Sequence, residues 1–209
     1  IYGPGVQDCK GGIVAAFMAM DALEKQGFTA RPVVLMLQSD EEGGSFPSEK
    51  RTVKFMAEQA SDTVAFLNAE GFGGGIVFER KGILTYTFEV TGVAVHSSLC
   101  FDGVNAVAEA AHKILELEKF KDNDGITCNC SMISGGVTVN SVPEKCTFRA
   151  NFRYLTEDDY KEVEAAVERI ASTSYIKGSS CKATKTGYRI SMPKVERNLR
   201  LLDRVVEII

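Results

Sequence analysis

The hydrophobic pattern of this sequence changes near residue 80, and this change restricts the fold more than any other feature. Before it, the unbroken apolar run 33–37 and a second run at 63–68 are typical of parallel strands buried on both faces. After it, residues 84–90 alternate apolar with polar side chains, which is typical of a strand with one face in water. The chain is therefore predicted to contain two kinds of sheet.

Helical periodicity alternates with these strands in both parts. An apolar stripe over 13–23 predicts a first helix that Gly27 ends, and 48–60 predicts a second. Beyond residue 80 the order is strand, helix, strand, strand, helix, strand, the split βαβ pattern of a ferredoxin-like sandwich. The stripe predicted for its first helix consists of Val104, Val107, Ala108, Ala111, Ile114 and Leu115.

We therefore predict an α/β fold with two domains. Residues 1–79 and 190–209 would form part of an α/β domain, and residues 80–189 would form a smaller α+β domain inserted into it. The sequence opens in mid-motif and ends within an amphipathic run, so we expect both ends to be cut ends of a longer protein.

Composition excludes several kinds of partner. The net charge is −4 without a basic stripe, which argues against nucleic acid. No apolar run approaches the roughly 18 residues of a membrane-spanning helix, so no membrane span is predicted.

The six cysteines show neither a C-x-x-C redox motif nor a zinc-ribbon spacing. They predict reduced, mostly buried thiols in a cytoplasmic protein.

Carboxylates follow both predicted buried strands. Asp40, Glu41 and Glu42 come directly after the first, Glu70 ends the second, and Asp8 lies in a glycine-flanked loop before the first helix. Alone, the acidic segment would be a solvated turn. Ligands gather at the carboxyl ends of strands in open α/β sheets, and cations reduce the repulsion between adjacent carboxylates.

Two cations need a bridging carboxylate with further ligands on either side. The three segments can supply that set from Asp8, Glu42 and Glu70. Glu41 is then free to act as general base on a water molecule. The acidic residues therefore predict a two-metal hydrolytic site.

These segments resemble motifs of the dizinc aminoacylase and carboxypeptidase family, which includes acetylornithine deacetylase, succinyl-diaminopimelate desuccinylase and glutamate carboxypeptidase. The matching residues are Gly5-x-x-Asp8-x-Lys10-Gly11-Gly12, Asp40-Glu41-Glu42-x-Gly44 and Asn68-Ala69-Glu70. The resemblance implies that Asp8 bridges two zinc ions per subunit, that Glu42 and Glu70 bind one each, and that Glu41 is the base. Cobalt or manganese could replace zinc.

The resemblance also implies a substrate and an assembly. The substrate would be an N-acyl amino acid or a small peptide, cleaved at an amide bond next to a carboxylate. The inserted domain would be a lid through which two copies form a homodimer.

Three residues of the insert carry further implied roles. His96 matches the family's lid histidine, which stabilises the tetrahedral intermediate and often reaches across the dimer; without the resemblance it would be a structural residue. Asn140 and Arg153 would hold the substrate carboxylate, and strand alternation places Arg153 on the polar face. Arg80 is a weaker candidate for the same task, its alternative being a surface charge near the hinge.

One departure leaves the function open. The family takes zinc-binding histidines from a His-x-Asp motif before Asp8 and from near the C-terminus, whereas this chain has only His96 and His112. His112 lies in a helix without an acidic partner motif and is predicted to have a surface or packing role. The alternative is therefore a non-catalytic homologue, or a dimerisation module without a complete metal site.

Overall fold

The structure, a computed structural model, describes residues 3–70, 75–122 and 124–208. The chain divides into two compact units after residue 76. The assignment of residues 190–209 to the same domain as residues 1–79 stays a prediction. None of the described helices combines the length and apolar character that crossing a membrane requires.

The first unit contains helices α1 (Gly11–Lys25) and α2 (Arg51–Ala60), preceded by a π-helical turn at Val6–Lys10. Helix α1 ends where the sequence predicts, because Gly27 adopts a φ of 68°. The Phe28 N–H then donates to the Leu23 carbonyl at 3.0 Å, as in a helix end capped by glycine.

The runs predicted as buried strands differ from the prediction. Residues 32–38 and 65–70 have no regular secondary structure, and Val34 and Leu67 are 72% and 74% exposed. A parallel strand needs neighbouring strands for its backbone groups and helices over both faces. Among the described residues of this unit, no strand pairs with either run.

The second unit contains a four-stranded antiparallel sheet in the order β2-β3-β1-β4. Its elements are β1 (Gly82–Thr91), a 3-10 helix (Ser97–Asp102), α3 (Ala106–Leu117), β2 (Thr127–Gly135), β3 (Lys145–Tyr154), α4 (Glu157–Ser172), β4 (Ser180–Arg189) and α5 (Glu196–Val206). This order and pairing confirm the predicted ferredoxin-like arrangement.

The core of this unit lies between the sheet and helices α3 and α4. Alternate residues of β1 and β3 face it, as their period-2 pattern predicts. Phe88 and Phe148 are register partners whose rings stack with centroids 4.5 Å apart. The opposite face of β3 carries the polar side chains, including Arg153.

The buried face of α3 differs from the predicted stripe. Ala106, Ala110 and Leu117 are fully buried, whereas Leu115 is 64% exposed. The two other buried residues of the helix are Glu109 and Lys113. Val107 and Ile114 of the predicted stripe still pack against the core, so the buried face overlaps the prediction only in part, because charged residues occupy two of its positions.

Candidate active site

The acidic loop after residue 38 is organised around Asp40. Its carboxylate accepts hydrogen bonds from Ser48 Oγ at 2.5 Å and Thr52 Oγ1 at 2.9 Å, and from Gln38 Nε2 at 3.1 Å. The bond from Ser48, followed by those from the other two, holds the pKa of Asp40 below its usual range. Asp40 therefore shapes the loop that presents Glu41 and Glu42, a role that the sequence alone did not reveal.

The start of helix α1, four residues after Asp8, lies beside the segment that carries Glu70. A Cβ atom on Gly12 would lie 1.6 Å from the Ala69 carbonyl oxygen, so only glycine permits this approach. The Asn68 side chain holds the next residue, because its Oδ1 accepts the Glu70 N–H at 3.2 Å and its Nδ2 lies 3.3 Å from Glu70 Oε2.

The predicted carboxylates are exposed and are not gathered into one cluster. In residues 3–70, no three of Asp8, Glu41, Glu42 and Glu70 bring their oxygens within 4.8 Å of one another. The donors themselves, carboxylates on neighbouring segments, fit a divalent cation such as Zn²⁺.

His96 is held by the residue two positions after it. Its Nδ1 accepts the Ser98 N–H at 3.2 Å, and Ser98 Oγ lies 2.8 Å from the same nitrogen. Because Nδ1 is an acceptor, the neutral ring carries its hydrogen on Nε2. The exposed ring can therefore donate a hydrogen bond from Nε2. The His-x-Ser spacing is the sequence signal for this arrangement.

The loop of Asn140 lies directly beside His96. The Ser97 N–H donates to the Asn140 carbonyl at 2.9 Å, and the Val142 N–H donates to the Val95 carbonyl at 2.9 Å. The structure thus brings together two motifs that lie 44 residues apart in the sequence.

Arg153 lies at the other end of β3. It is half-buried and pairs with Ile83 near the start of β1, and Arg80 precedes that strand. Lys145, at the end of β3 that adjoins the Asn140 loop, is eight residues from Arg153, or roughly 27 Å at about 3.4 Å per residue. Within one subunit the sheet therefore separates Arg153 and Arg80 from His96 and Asn140.

The other histidine has a packing role. His112 is exposed on α3, and its ring stacks on Tyr175 with centroids 5.6 Å apart. This agrees with the predicted surface or packing role.

All six cysteines are described and free of disulfides. Cys128 and Cys146 are buried, Cys100 is exposed, and the remaining three are half-buried. The prediction that most of the thiols are buried is therefore wrong, because only two of the six are buried.

Comparison with known proteins gives a consistent result. Residues 78–179 match the model of the peptidase dimerisation domain. A probable succinyl-diaminopimelate desuccinylase of Staphylococcus aureus (strain MRSA252) is 28% identical over 204 residues, with 81% of this chain and 49% of that protein covered. Carboxypeptidase G2 of Pseudomonas sp. (strain RS-16) is 26% identical over 208 residues, with 98% of this chain and 50% of that protein covered.

A solved structure shares the fold. Aminopeptidase PepT of Bacillus cereus ATCC 10987 has a TM-score of 0.71 over 95% of this chain and 53% of its own, at 18% identity. The chain spans about half the length of the curated relatives that it matches.

Proposed function

We propose that the protein is a hydrolase of the M20 peptidase family, whose dimerisation-domain model matches residues 78–179, and that it cleaves an amide bond next to a carboxylate, as its similarity to a probable desuccinylase and to carboxypeptidase G2 supports. The substrate is an N-acyl amino acid or a small peptide. The observation that carries the proposal is the pairing of His96, which presents Nε2–H, with the neighbouring loop of Asn140. A hydrogen-bond donor held in this way suits the oxyanion that forms when an amide carbonyl is attacked.

The metal ligands in this proposal are three carboxylates. Asp8 would be shared between two zinc ions, and Glu42 and Glu70 would each hold one. The contact between Gly12 and Ala69 supports this, because it brings the segments of Asp8 and Glu70 side by side. When bound, zinc supplies Lewis-acid chemistry that makes a water molecule more acidic. Cobalt and manganese suit the same oxygen ligands.

Glu41 is the proton carrier of the proposed reaction. It accepts a proton from the attacking water and passes it to the leaving amine. The loop around Asp40 supports this role, because it places Glu41 next to the proposed ligand Glu42 on a turn held by three side-chain hydrogen bonds.

The remaining residues bind substrate from two subunits of a homodimer. Arg153 holds the substrate carboxylate, a planar group that suits a two-pronged guanidinium, and Arg80 assists it. Since about 27 Å of β3 separates Arg153 from the Asn140 loop within one subunit, His96 and Asn140 reach the substrate from the partner.

Apolar side chains around His96 and Asn140 support this assembly. Val139, next to Asn140, is 101% exposed, and Phe101, in the 3-10 helix after His96, is 97% exposed. Exposed apolar groups on a loop surface favour contact with another protein. A cytoplasmic location is proposed from the reduced cysteines.

The test is an assay of the whole protein that contains these residues. With zinc added, it should hydrolyse N-acyl amino acids or dipeptides. Glu41→Gln should lower kcat about 10²- to 10⁴-fold while zinc remains bound, because general-base catalysis contributes about that factor. Glu58→Gln, an exposed glutamate on α2, is the matched control. Hydrolysis that survives Glu41→Gln rejects the assignment.

A second candidate is a non-catalytic dimerisation homologue. The spacing of the four carboxylates, which do not cluster in residues 3–70, favours it. Calorimetric zinc titration of the whole protein separates the two, because only the enzyme requires tight binding at two sites.

A further inference from the structure

A second group of potential metal ligands lies within the dimerisation domain. Glu118, Cys128 and Cys130 each offer a ligand atom, and these atoms lie within 4.8 Å of one another. We call this group the Cys–Glu cluster. In the described part of the chain, no other group of three carboxylates, thiols or imidazoles satisfies the same distance.

The cluster lies at the edge of the sheet. Cys128 and Cys130 are two residues apart on the edge strand β2 and face its core side. Glu118 directly follows α3, and its Oε1 accepts the Cys130 N–H at 2.7 Å. Strand β2 therefore positions the two cysteines, and the hydrogen bond from Cys130 positions Glu118.

We propose that the Cys–Glu cluster binds one divalent metal ion of borderline or soft character, such as zinc. Two thiolates and a carboxylate are ligands that select such ions over Mg²⁺ or Ca²⁺. In a tetrahedral site, Zn–S bonds of about 2.3 Å place two sulfurs about 3.8 Å apart. Two sulfurs at the 4.8 Å limit would therefore need to approach by roughly 1 Å, and the fourth position is left to water.

Binding displaces protons from the thiols. The hydrogen bond with Cys128, together with burial, raises the pKa of Cys130, which disfavours the thiolate until a metal ion binds it. The metal takes the place of one proton on each sulfur, and both protons leave to solvent.

Charge balance at the site is favourable. Two thiolates and the Glu118 carboxylate carry three negative charges against two on the metal. Lys121, whose ammonium group forms an ion pair with Glu118, supplies the remaining positive charge. Its side chain is 57% exposed and can move aside while remaining near the site.

The test uses Co²⁺ titrated into the reduced 209-residue chain. Thiolate ligands give a sulfur-to-cobalt charge-transfer band in the near ultraviolet, which carboxylates and imidazoles do not. We expect the band to saturate at one cobalt per chain and to disappear when excess Zn²⁺ replaces cobalt, since zinc binds such sites more tightly.

Matched variants locate the site. Cys130→Ser should lower the band to about half of its wild-type intensity or less, because only the Cys128 thiolate is left, whereas Cys181→Ser should leave it unchanged, since Cys181 is also half-buried but lies on the opposite edge strand, β4. Cys9→Ser, which removes the thiol next to Asp8, should also leave it unchanged. Glu118→Gln should keep the band at saturation but weaken affinity at least about tenfold, as loss even of an outer-shell partner does.

Two results would overturn the proposal. One is the absence of a charge-transfer band from the wild-type chain. The other is a band of full intensity in Cys130→Ser. Equal far-ultraviolet circular dichroism of Cys130→Ser and Cys181→Ser checks that both variants are folded, and Glu118→Gln tests the site without altering a core side chain.

Discussion

Glu109 and Lys113 form an ion pair inside the dimerisation domain, with Oε1 and Nζ 3.0 Å apart and side chains 0% and 1% exposed. Lys113 Nζ also donates to the Ile170 carbonyl at 2.7 Å. The Glu109 carboxylate accepts the Ile176 N–H at 2.6 Å. The pair thus joins α3 to the end of α4 and to the chain that leads into β4.

Removal of one partner of this pair should be costly. In Lys113→Met the Glu109 charge stays buried without its counter-ion, and we expect a loss of about 3–5 kcal/mol in the free energy of unfolding. Lys119→Met, which breaks an exposed pair with Glu116 on the surface, should cost less than about 1 kcal/mol. Urea unfolding measures both, and equal losses would contradict the prediction.

The same pair predicts a pH dependence of stability. Burial raises the pKa of Glu109, but hydrogen bonds from Lys113, Ile176 and Tyr175 outweigh it and lower the pKa overall. A lowered folded-state pKa stabilises the protein above the unfolded value of 4.5, and this stabilisation is lost as the pH falls through the folded value.

Urea titrations at several pH values test that sign. The stability difference between wild type and Glu109→Gln should be greatest above pH 4.5 and should shrink as the pH is lowered. A difference that stays constant or grows towards acid pH would contradict the assignment.

The proposed dimer predicts complementation between inactive variants. In a mixture of His96→Ala with Glu41→Ala, each heterodimer contains one site with Glu41 from one subunit and His96 from the other. Random mixing should restore about a quarter of wild-type activity. If both residues act within one subunit, the mixture stays as inactive as the single variants. Assays before and after subunit exchange distinguish the two outcomes.

The close approach of Gly12 to Ala69 predicts an effect on metal binding. Gly12→Ala should displace the segment of Glu70 and destabilise the protein by about 1–3 kcal/mol, as overpacking does. It should also weaken zinc binding in calorimetry of the whole protein. Gly75→Ala is the control, because nothing lies within 4 Å of its added methyl group. Unchanged zinc binding in Gly12→Ala would separate this contact from the metal site.

Prediction from sequence was most successful where the pattern is local. The alternation that predicts β1 and β3 follows from one buried face, and the structure confirms it from Leu84 to Val90. The prediction was only partly right for the stripe of α3. Val107 and Ile114 pack against the core, but Glu109 and Lys113 are buried there too, which becomes acceptable only through partners about 60 residues away.

In the candidate site too, local sequence motifs were informative and the long-range geometry was not predicted. The family resemblance singled out His96 and Asn140, and the structure places their loops side by side. The separation of Arg153 from them depends on strand length and sheet register, which spacing alone did not provide. The roles of Asp8, Glu41, Glu42 and Glu70 stay predictions.

A residue just before β1 and a residue just after β4 are joined by hydrogen bonds. Arg80 and Met192 exchange backbone hydrogen bonds of 2.9 and 2.8 Å, so the residues that precede β1 and those that follow β4 lie next to each other. A segment whose ends are adjacent can be gained by a host protein, or removed from it, without opening the rest of the fold. Because Arg80 and Met192 are adjacent, the segment between them could be transferred from one protein to another as a single unit.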